Sequence, residues 1–511
     1  MKNILKNSGT AILLLITIIG FSSCQKDTIS PPNQSTAFVK YYGHVATQTA
    51  ADLLRTADGG YILLGATNSY TKGDERDIFV VKTDSLGNEM WSSSFGRKDG
   101  ASAASSGFRG DYLRFDEEGV RLVELPGGEV YTLACNRTYV QYADAITSVG
   151  TRGETKIVLY QIDALTGAVI NKNRGTNTSE DLGEELNETT AASFTEKVSD
   201  MKVDSSSGII KYILTGMTTN VPNKATLPNN DNAVSDRSDI YTIALDEDFD
   251  ISWTTLDITG GLIGEDFGVS VQILPQGYLI CGTIERNYAS NTSDFEPYSD
   301  LIVVLMNKSS GQPTNPRFHG NENGAGASNF IGGQSVYNPT SGHVTILAHV
   351  EEENSIIGAG QLVLLQVDEA GIAQLIDGNK ITFLDVNGTA NGNKPYISAS
   401  IAELPDEDGY IISATYREIV NVEHDICIIK VDNNFEIVTG WPYYFGYNEV
   451  GGGGVFATQE NAGTVIPVTE AVTGTSQTKL TGYAFTGTFG LGTNDMLGLV
   501  KLNTNGTFSP E

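Results

Sequence analysis

Histidine, tryptophan and cysteine are scarce in this 511-residue chain, with five, three and four copies. His44, His319, His343, His349 and His424 make no HExxH arrangement, so structural or surface roles are their plainer reading. Cys135, Cys281 and Cys427 fall in separate stretches without CxxC spacing, which points away from a disulfide framework or a zinc site. No GxSxG elbow is present. Positive charge is also short: 32 Lys and Arg against 62 Asp and Glu leave a net charge of −30, which repels phosphate backbones and anionic headgroups. The main continuous apolar run is Ala11 to Phe21, 11 residues, too short to span a bilayer. No amphipathic helical pattern stands out after residue 30.

What is abundant is short β-branched and aromatic segments bounded by Gly, Asp, Ser or Pro, which is strand signature. An apolar strand ending in Asp or Asn recurs at Asp84, Asp163, Asp246, Asn307, Asp368, Asp432 and Asn503, separated by 79, 83, 61, 61, 64 and 71 residues. A second strand precedes each anchor, as in GGYILLGAT from Gly59 and GYIISAT from Gly409. Trp91 stands five residues before Gly96, and Trp441 five before Gly446. The last copy ends before such a strand, while Phe38 to Gly43, FVKYYG, has its pattern and no hairpin ahead of it. The expected fold is therefore all-β, a seven-bladed β-propeller closed by an N-terminal strand, over residues 37–511. A single blade cannot bury both faces, so this is one domain.

Lys2 and Lys6, the 11-residue apolar core and Ser22-Ser23-Cys24 read as a signal peptide over residues 1–23. The pattern resembles a bacterial lipoprotein signal, which makes Cys24 the lipid-modified first residue of the mature chain. Gln25-Lys26-Asp27 is similar to the export signal that carries lipoproteins to the outer face of the outer membrane in Bacteroidota. Residues 24–36, with two prolines, form a tether whose 13 residues reach at most about 45 Å. Loss of two lysines with the signal moves the charge from −30 to −32.

In such a ring the turns between strands one and two and between strands three and four share one side. There they are tight, as in Asp58-Gly59-Gly60 and Ser85-Leu86-Gly87-Asn88. Extra residues fall on the other side, in loops expected from Asn136 to Glu154, Thr218 to Arg237 and Ile284 to Ser299. Tyr70, Tyr139, Tyr142, Tyr288, Phe295, Tyr298 and Tyr416 are placed in these second-to-third-strand loops, where aromatics serve loop packing, protein contact or sugar stacking. Recurring acids near the start of each blade, including Glu184-Glu185, Glu265-Asp266, Glu322 and Glu449, suit a repeated role in accepting backbone N–H groups.

Two local likenesses stop short of chemistry. DSLGNEMW has Gly87 three and Trp91 seven residues after Asp84, off the spacing of the sialidase Asp-box. IDALTGAVIN from Ile162 is similar to the quinoprotein dehydrogenase repeat in strand and turn, with Asn171 where that family docks a Trp. LDEDFD from Leu245 is oxygen-rich but lacks the Gly and distal Glu of an EF-hand loop. No cofactor, metal site or catalytic residue is assigned.

Across residues 37 to 508 the repeat DGGY, DIFVVKTDSLGNEMW, SFG resembles the repeated propeller lipoproteins of Bacteroidota. That resemblance implies a lipid-anchored protein of the outer membrane, facing the cell exterior and binding a partner. The expected function is a non-enzymatic binding or scaffold propeller, an accessory subunit of an outer-membrane complex for glycan uptake, protein secretion or protein insertion. The alternative is a surface glycan-binding protein or carbohydrate-active enzyme.

Overall fold

The strands are laid down in chain order as repeated antiparallel meanders, each anchored by its own third-to-fourth-strand turn. The computed structural model describes residues 37–43, 46–69, 75–97, 112–142, 151–171, 183–186, 194–219, 238–255, 258, 265–287, 297–320, 328–351, 360–376, 378–386, 396–405, 408–417, 424–446, 460–472, 478–491 and 494–508. Among these there is no α-helix. The chain is all-β, a propeller-type repeat.

β1 (Phe38–Tyr42) is followed by the unit β2 (Gln48–Arg55), β3 (Tyr61–Thr67), β4 (Asp77–Thr83) and β5 (Glu89–Phe95). The next is β6 (Tyr112–Glu124), β7 (Val130–Tyr142), β8 (Thr151–Asp163) and β9 (Glu184–Glu185). Then come β10 (Glu196–Asp204), β11 (Lys211–Thr218), β12 (Asp239–Asp246) and β13 (Ile251–Thr255). β14 (Phe267–Ile273), β15 (Tyr278–Asn287), β16 (Pro297–Met306) and β17 (Pro313–His319) form another. β18 (Asn329–Asn338), β19 (His343–Glu351), β20 (Gly360–Asp368) and β21 (Ile381–Phe383) precede β22 (Tyr396–Glu403), β23 (Tyr410–Arg417), β24 (His424–Val431) and β25 (Tyr443–Phe445). β26 (Asn461–Ala471), β27 (Thr478–Leu491) and β28 (Asn494–Leu502) end the chain, and β1 pairs antiparallel with β28, Phe38 opposite Lys501 and Tyr42 opposite Leu497. Each unit is a four-stranded sheet, except that Gly360 pairs with Tyr396 and joins the β18 and β22 units into one eight-stranded sheet.

The Asp or Asn anchors explain why the turns are alike. Asp84 Oδ1 accepts the N–H groups of Leu86 and Asn88, and Asp246, Asp368 and Asp432 accept from the matching positions two and four residues on. A short carboxylate thus holds the turn closed without help from the core.

Neighbouring units meet through an aromatic clamp. Trp91 of β5 donates its indole N–H to Ala164 O at 3.2 Å and lies against Gly167, at φ +69°. Trp253 of β13 donates to Lys308 O at 3.2 Å and lies against Gly311. Tyr443 donates to Asn505 O at 3.1 Å and lies with Trp441 against Gly506, while Phe38 of β1 lies against Gly87, whose carbonyl accepts from Tyr42 at 2.7 Å. Two turns supply an aromatic of their own. Phe249 and Phe435 take the left-handed position at φ 65° and 63°, and turn inward onto Tyr212 and Tyr410. Asn171, in the unit before Phe249, instead stitches to its own sheet through Gln161 N and Leu159 O.

First strands carry a β-bulge in every unit, after Ala50, Gly119, Val198, Gly268, Gly332, Ser398 and Ala462. Beyond it, side chains form a polar belt: Thr464 Oγ1 donates to Asp52, Arg121 bridges Asp52 and Asp200, and the Ser270 and Ser335 hydroxyls meet at 2.6 Å. Contacts join β2 to β6, β6 to β10, β10 to β14, β14 to β18, β18 to β22, β22 to β26, and β26 to β2.

Cys135, Cys281 and Cys427 are buried inside this packing and form no disulfide, and burial pushes the Cys281 thiol up to about 12.

Candidate functional site

The hairpins run further toward the loop side than the composition suggests. β7 and β8 stay paired from Val130 opposite Asp163 to Gln141 opposite Thr151, and β15 and β16 to Asn287 opposite Pro297. Cross-strand partners such as Thr138 and Thr155, with hydroxyls 2.9 Å apart, extend the ladder through the segments expected as loops. Of the candidate aromatics, Tyr70, Tyr288 and Phe295 lie outside the described residues, as do the expected lipidation site Cys24 and the acids Glu322 and Glu449. Tyr142 ends β7; Tyr298 lies in β16, opposite Arg286, and is half-buried.

Tyr139 corrects its expected place in a loop. It lies within β7, 6% exposed, and its hydroxyl donates to Glu185 Oε1 at 2.6 Å. Around it is a closed ionic knot. Fully buried Arg137 pairs with Glu117 and with Glu185 at 2.9 Å, donates to Tyr160 at 2.8 Å, and has Arg97 and Phe115 beside it. Burial raises the Tyr139 and Tyr160 hydroxyls far above the usual phenol range, and the neighbouring carboxylates add to it. Glu184–Glu185 thus form β9, the outer strand of their unit, instead of introducing the next one.

Aligning units on the bulge reveals the buried acid position that the sequence only hints at. Two residues before each bulge stand Gln48, Glu117, Glu196, Asp266, Phe330, Tyr396 and Glu460, all buried. The backbone N–H groups of Glu117, Asp266 and Glu460 donate to Arg76, Ser238 and His424 of the preceding unit. Only Asp266 is among the acids singled out by spacing. Aromatics replace the polar residue at Phe330 and Tyr396, in the two units that share one sheet.

A second position breaks at the same place. The amide N–H of Ala50, Val198, Gly332 and Ala462, just before the bulge, donates to Thr488, Asn136, Thr283 and Thr415 of the preceding unit at 2.8 to 2.9 Å. At the β18–β22 junction the acceptor is His349 Nδ1, 3.5 Å from Ser398 N, and the Ser398 hydroxyl lies 3.0 Å from the same nitrogen. Because the acceptors fall in separate repeats of uneven length, only the strand register reveals His349 as the odd member.

Beside this pair Tyr416, a predicted site residue, joins an aromatic cluster. Tyr416 contacts Tyr396 at 5.4 Å and Tyr444 at 5.6 Å between ring centres, and the Tyr396 and Tyr444 hydroxyls are 2.9 Å apart. Tyr444 is 40% exposed, and Phe383, next to buried Leu384 of the same hydrophobic cluster, 49%. Other exposed apolar residues, such as Leu86, Leu165, Ile209 and Ile372, are distributed over the tight turns of different units, as is ordinary for a protein surface.

Among the described residues no group of three or more His, Cys, Asp and Glu side chains is placed to hold a metal ion, and no helix is long and apolar enough to cross a membrane.

No family model matches the chain, and no curated protein matches it. Solved structures do. A puromycin-hydrolysing peptidase of Mycobacterium tuberculosis aligns at 12% identity and TM-score 0.38 over 88% of this chain, which spans half of that protein's length. A polysaccharide lyase aligns at 10% identity and TM-score 0.42 over 91% of each chain, and a β-1,3-galactosidase at 10% and 0.29 over 79% of this chain and 99% of that one. At these scores the likenesses carry no argument about chemistry.

Proposed function

We propose that this protein is a seven-bladed propeller, closed on itself by β1, that is lipid-anchored at Cys24 on the outer membrane and binds a protein partner through its loop-bearing side. Support for closure comes from β1, which pairs with β28 and sets Phe38 on the Gly87 turn as Trp91 is set on the Gly167 turn. The N-terminal sequence supports the anchor and the outward address.

The observation that carries the binding reading is the concentration of irregularity at the β18–β22 junction. Repeats that only support each other gain nothing from a local exception, so a polar position turned aromatic twice, with Tyr444 and Phe383 outward, favours recognition there. Among the described residues, the Arg137 knot commits its charges internally. The partner is an integral outer-membrane protein, with this chain as its accessory subunit in glycan uptake, protein secretion or protein insertion.

Affinity purification of the tagged, lipidated protein from gently solubilised outer membranes, with mass spectrometry, tests this. A stoichiometric membrane partner lost in a Tyr444→Ala, Phe383→Ala double variant supports it; recovery of the protein alone under mild crosslinking refutes it. The same tyrosine cluster favours a second reading, a glycan site. Saturable glycan binding that falls with Tyr416→Ala and Tyr444→Ala supports that reading, and a flat response across a broad glycan panel refutes it.

A further inference from the structure

We propose that Ser398 and His349 are a nucleophile and general base that take an acyl group from a small ester. This goes beyond partner binding and does not depend on it. At four other junctions the corresponding bond is purely architectural: Thr488, Asn136, Thr283 and Thr415 offer an oxygen, and Ala50, Val198, Gly332 and Ala462 have no nucleophile to offer in return. Here both partners have changed together. The acceptor is an imidazole nitrogen, which can take a proton, and the recipient residue has a hydroxyl 3.0 Å from that nitrogen. In the tautomer protonated at Nε2, Nδ1 accepts from Ser398 Oγ, the arrangement a base needs before attack.

The bulges of two units set the surroundings of the hydroxyl. Ser398 is half-buried, whereas His349 is 4% exposed and held within β19 between Ile331 and Leu362. On the preceding unit the bulge after Gly332 brings Gly333 against the serine, so that a methyl group at Gly333 would stand 2.7 Å from Ser398 Oγ. Only glycine lets the two units approach this closely at the hydroxyl, because a side chain there would also meet the Leu347 carbonyl. The bulge in β22 leaves Ala399, next to the nucleophile, without a residue opposite it. Tyr396 lies two residues before Ser398 on the same face of the strand, opposite Tyr416, and gives that side an aromatic wall.

The chemistry balances with water alone. Ser398 Oγ bonds to the ester carbonyl carbon as its proton passes to His349 Nδ1, and the imidazolium returns that proton to the departing alkoxide. Water then attacks the acyl-serine, giving its proton to His349, and the carboxylic acid leaves as Oγ is reprotonated.

A fluorophosphonate probe tests this on the full chain, since it forms an Oγ–P bond with loss of fluoride only at an activated serine. Peptide mass spectrometry should place the adduct on Ser398, and 4-nitrophenyl acetate should be hydrolysed by the protein but not by Ser398→Ala. His349→Thr restores the acceptor used at the other junctions, so its melting temperature should stay within about 2 °C of the parent. Its labelling rate should nevertheless fall by on the order of 100-fold. Absence of an adduct at Ser398 in a protein with an intact melting transition overturns the proposal. So does equal labelling of His349→Thr and the parent.

Discussion

The indole of Trp91 and the bare α-carbon of Gly167 occupy one another's space: a methyl on Gly167 would stand 2.5 Å from the Trp91 ring. The glycine is needed twice, for its φ of +69° and for the room it gives a neighbour's aromatic. Gly167→Ala should cost about 2–4 kcal/mol, and Trp91→Ala about 2–3 kcal/mol. In the Trp91→Ala background the methyl has nothing to strike, so Gly167→Ala should then cost only about 1–2 kcal/mol. Urea unfolding of the four proteins in the cycle measures that difference; strict additivity would separate the two residues.

Phe435 presents the opposite case. Turn propensity alone predicts that Gly at its φ of 63° is stabilising, but the ring is 3% exposed and packs on Tyr410. Losing a buried aromatic costs about 3–5 kcal/mol, against about 1–2 kcal/mol of relieved strain. Phe435→Gly should therefore destabilise by about 2–3 kcal/mol in chemical denaturation, and a gain in stability would show that the turn, not the ring, governs this position.

Arg137 holds Glu117 and Glu185 together where none of the three meets solvent. Arg137→Met leaves the buried Glu117 carboxylate without its cation and Glu185 with only the longer Arg97 contact at 3.6 Å, and should cost about 3–5 kcal/mol. Adding Glu117→Gln and Glu185→Gln should recover part of the loss, because the uncompensated charge is then gone. The comparison is one of denaturation midpoints, and a triple variant no better than the single would assign the loss to packing.

Asp204 links the β10 and β14 units through Tyr278 at 3.0 Å and Lys308 at 3.1 Å. Burial works to raise its carboxyl, but the bonds from Ser206, Lys308 and Tyr278 prevail and bring it from 3.8 to about 2. A depressed carboxyl stabilises the fold above its unfolded value and loses that contribution as pH falls toward its folded one, here between about pH 4 and pH 2. Asp204→Asn should be less stable by about 1–2 kcal/mol at pH 7, and the gap should close over that acid window. A difference independent of pH would remove the charge from the explanation.

Deleting residues 38–43 removes β1, the Tyr42 bond to Gly87 O and the Phe38 contact with Gly87 in one step. It also leaves β28 as an unpaired edge. The melting temperature should fall sharply. An unchanged transition would rule out a closing role for β1.

The strands were legible because each unit writes the same short pattern: an apolar run, an Asp or Asn, and a turn the carboxylate can hold by itself. Asp84 and Asp432 show why, since their turn bonds are made within four residues. The candidate binding residues were less legible. Tyr139 reads as a loop aromatic because hydrophilic neighbours surround it in sequence, yet those neighbours, Arg137 among them, are neutralised by Glu117 and Glu185 from other strands. Burial of a polar residue depends on partners 20 and 48 positions away, which no local pattern contains.

What the sequence alone determined is the all-β repeat, the anchors of its turns and the pairing role open to FVKYYG, because these depend on local periodicity and on side chains bonding to their own backbone. Only the tertiary structure decided which repeat position is broken. His349 and Ser398 are ordinary residues 49 positions apart until the bulges align them across two units, at the junction where Gly360 pairs with Tyr396. Register between strands is set by packing both faces of a sheet at once, and that is a property of the assembled units rather than of any one of them.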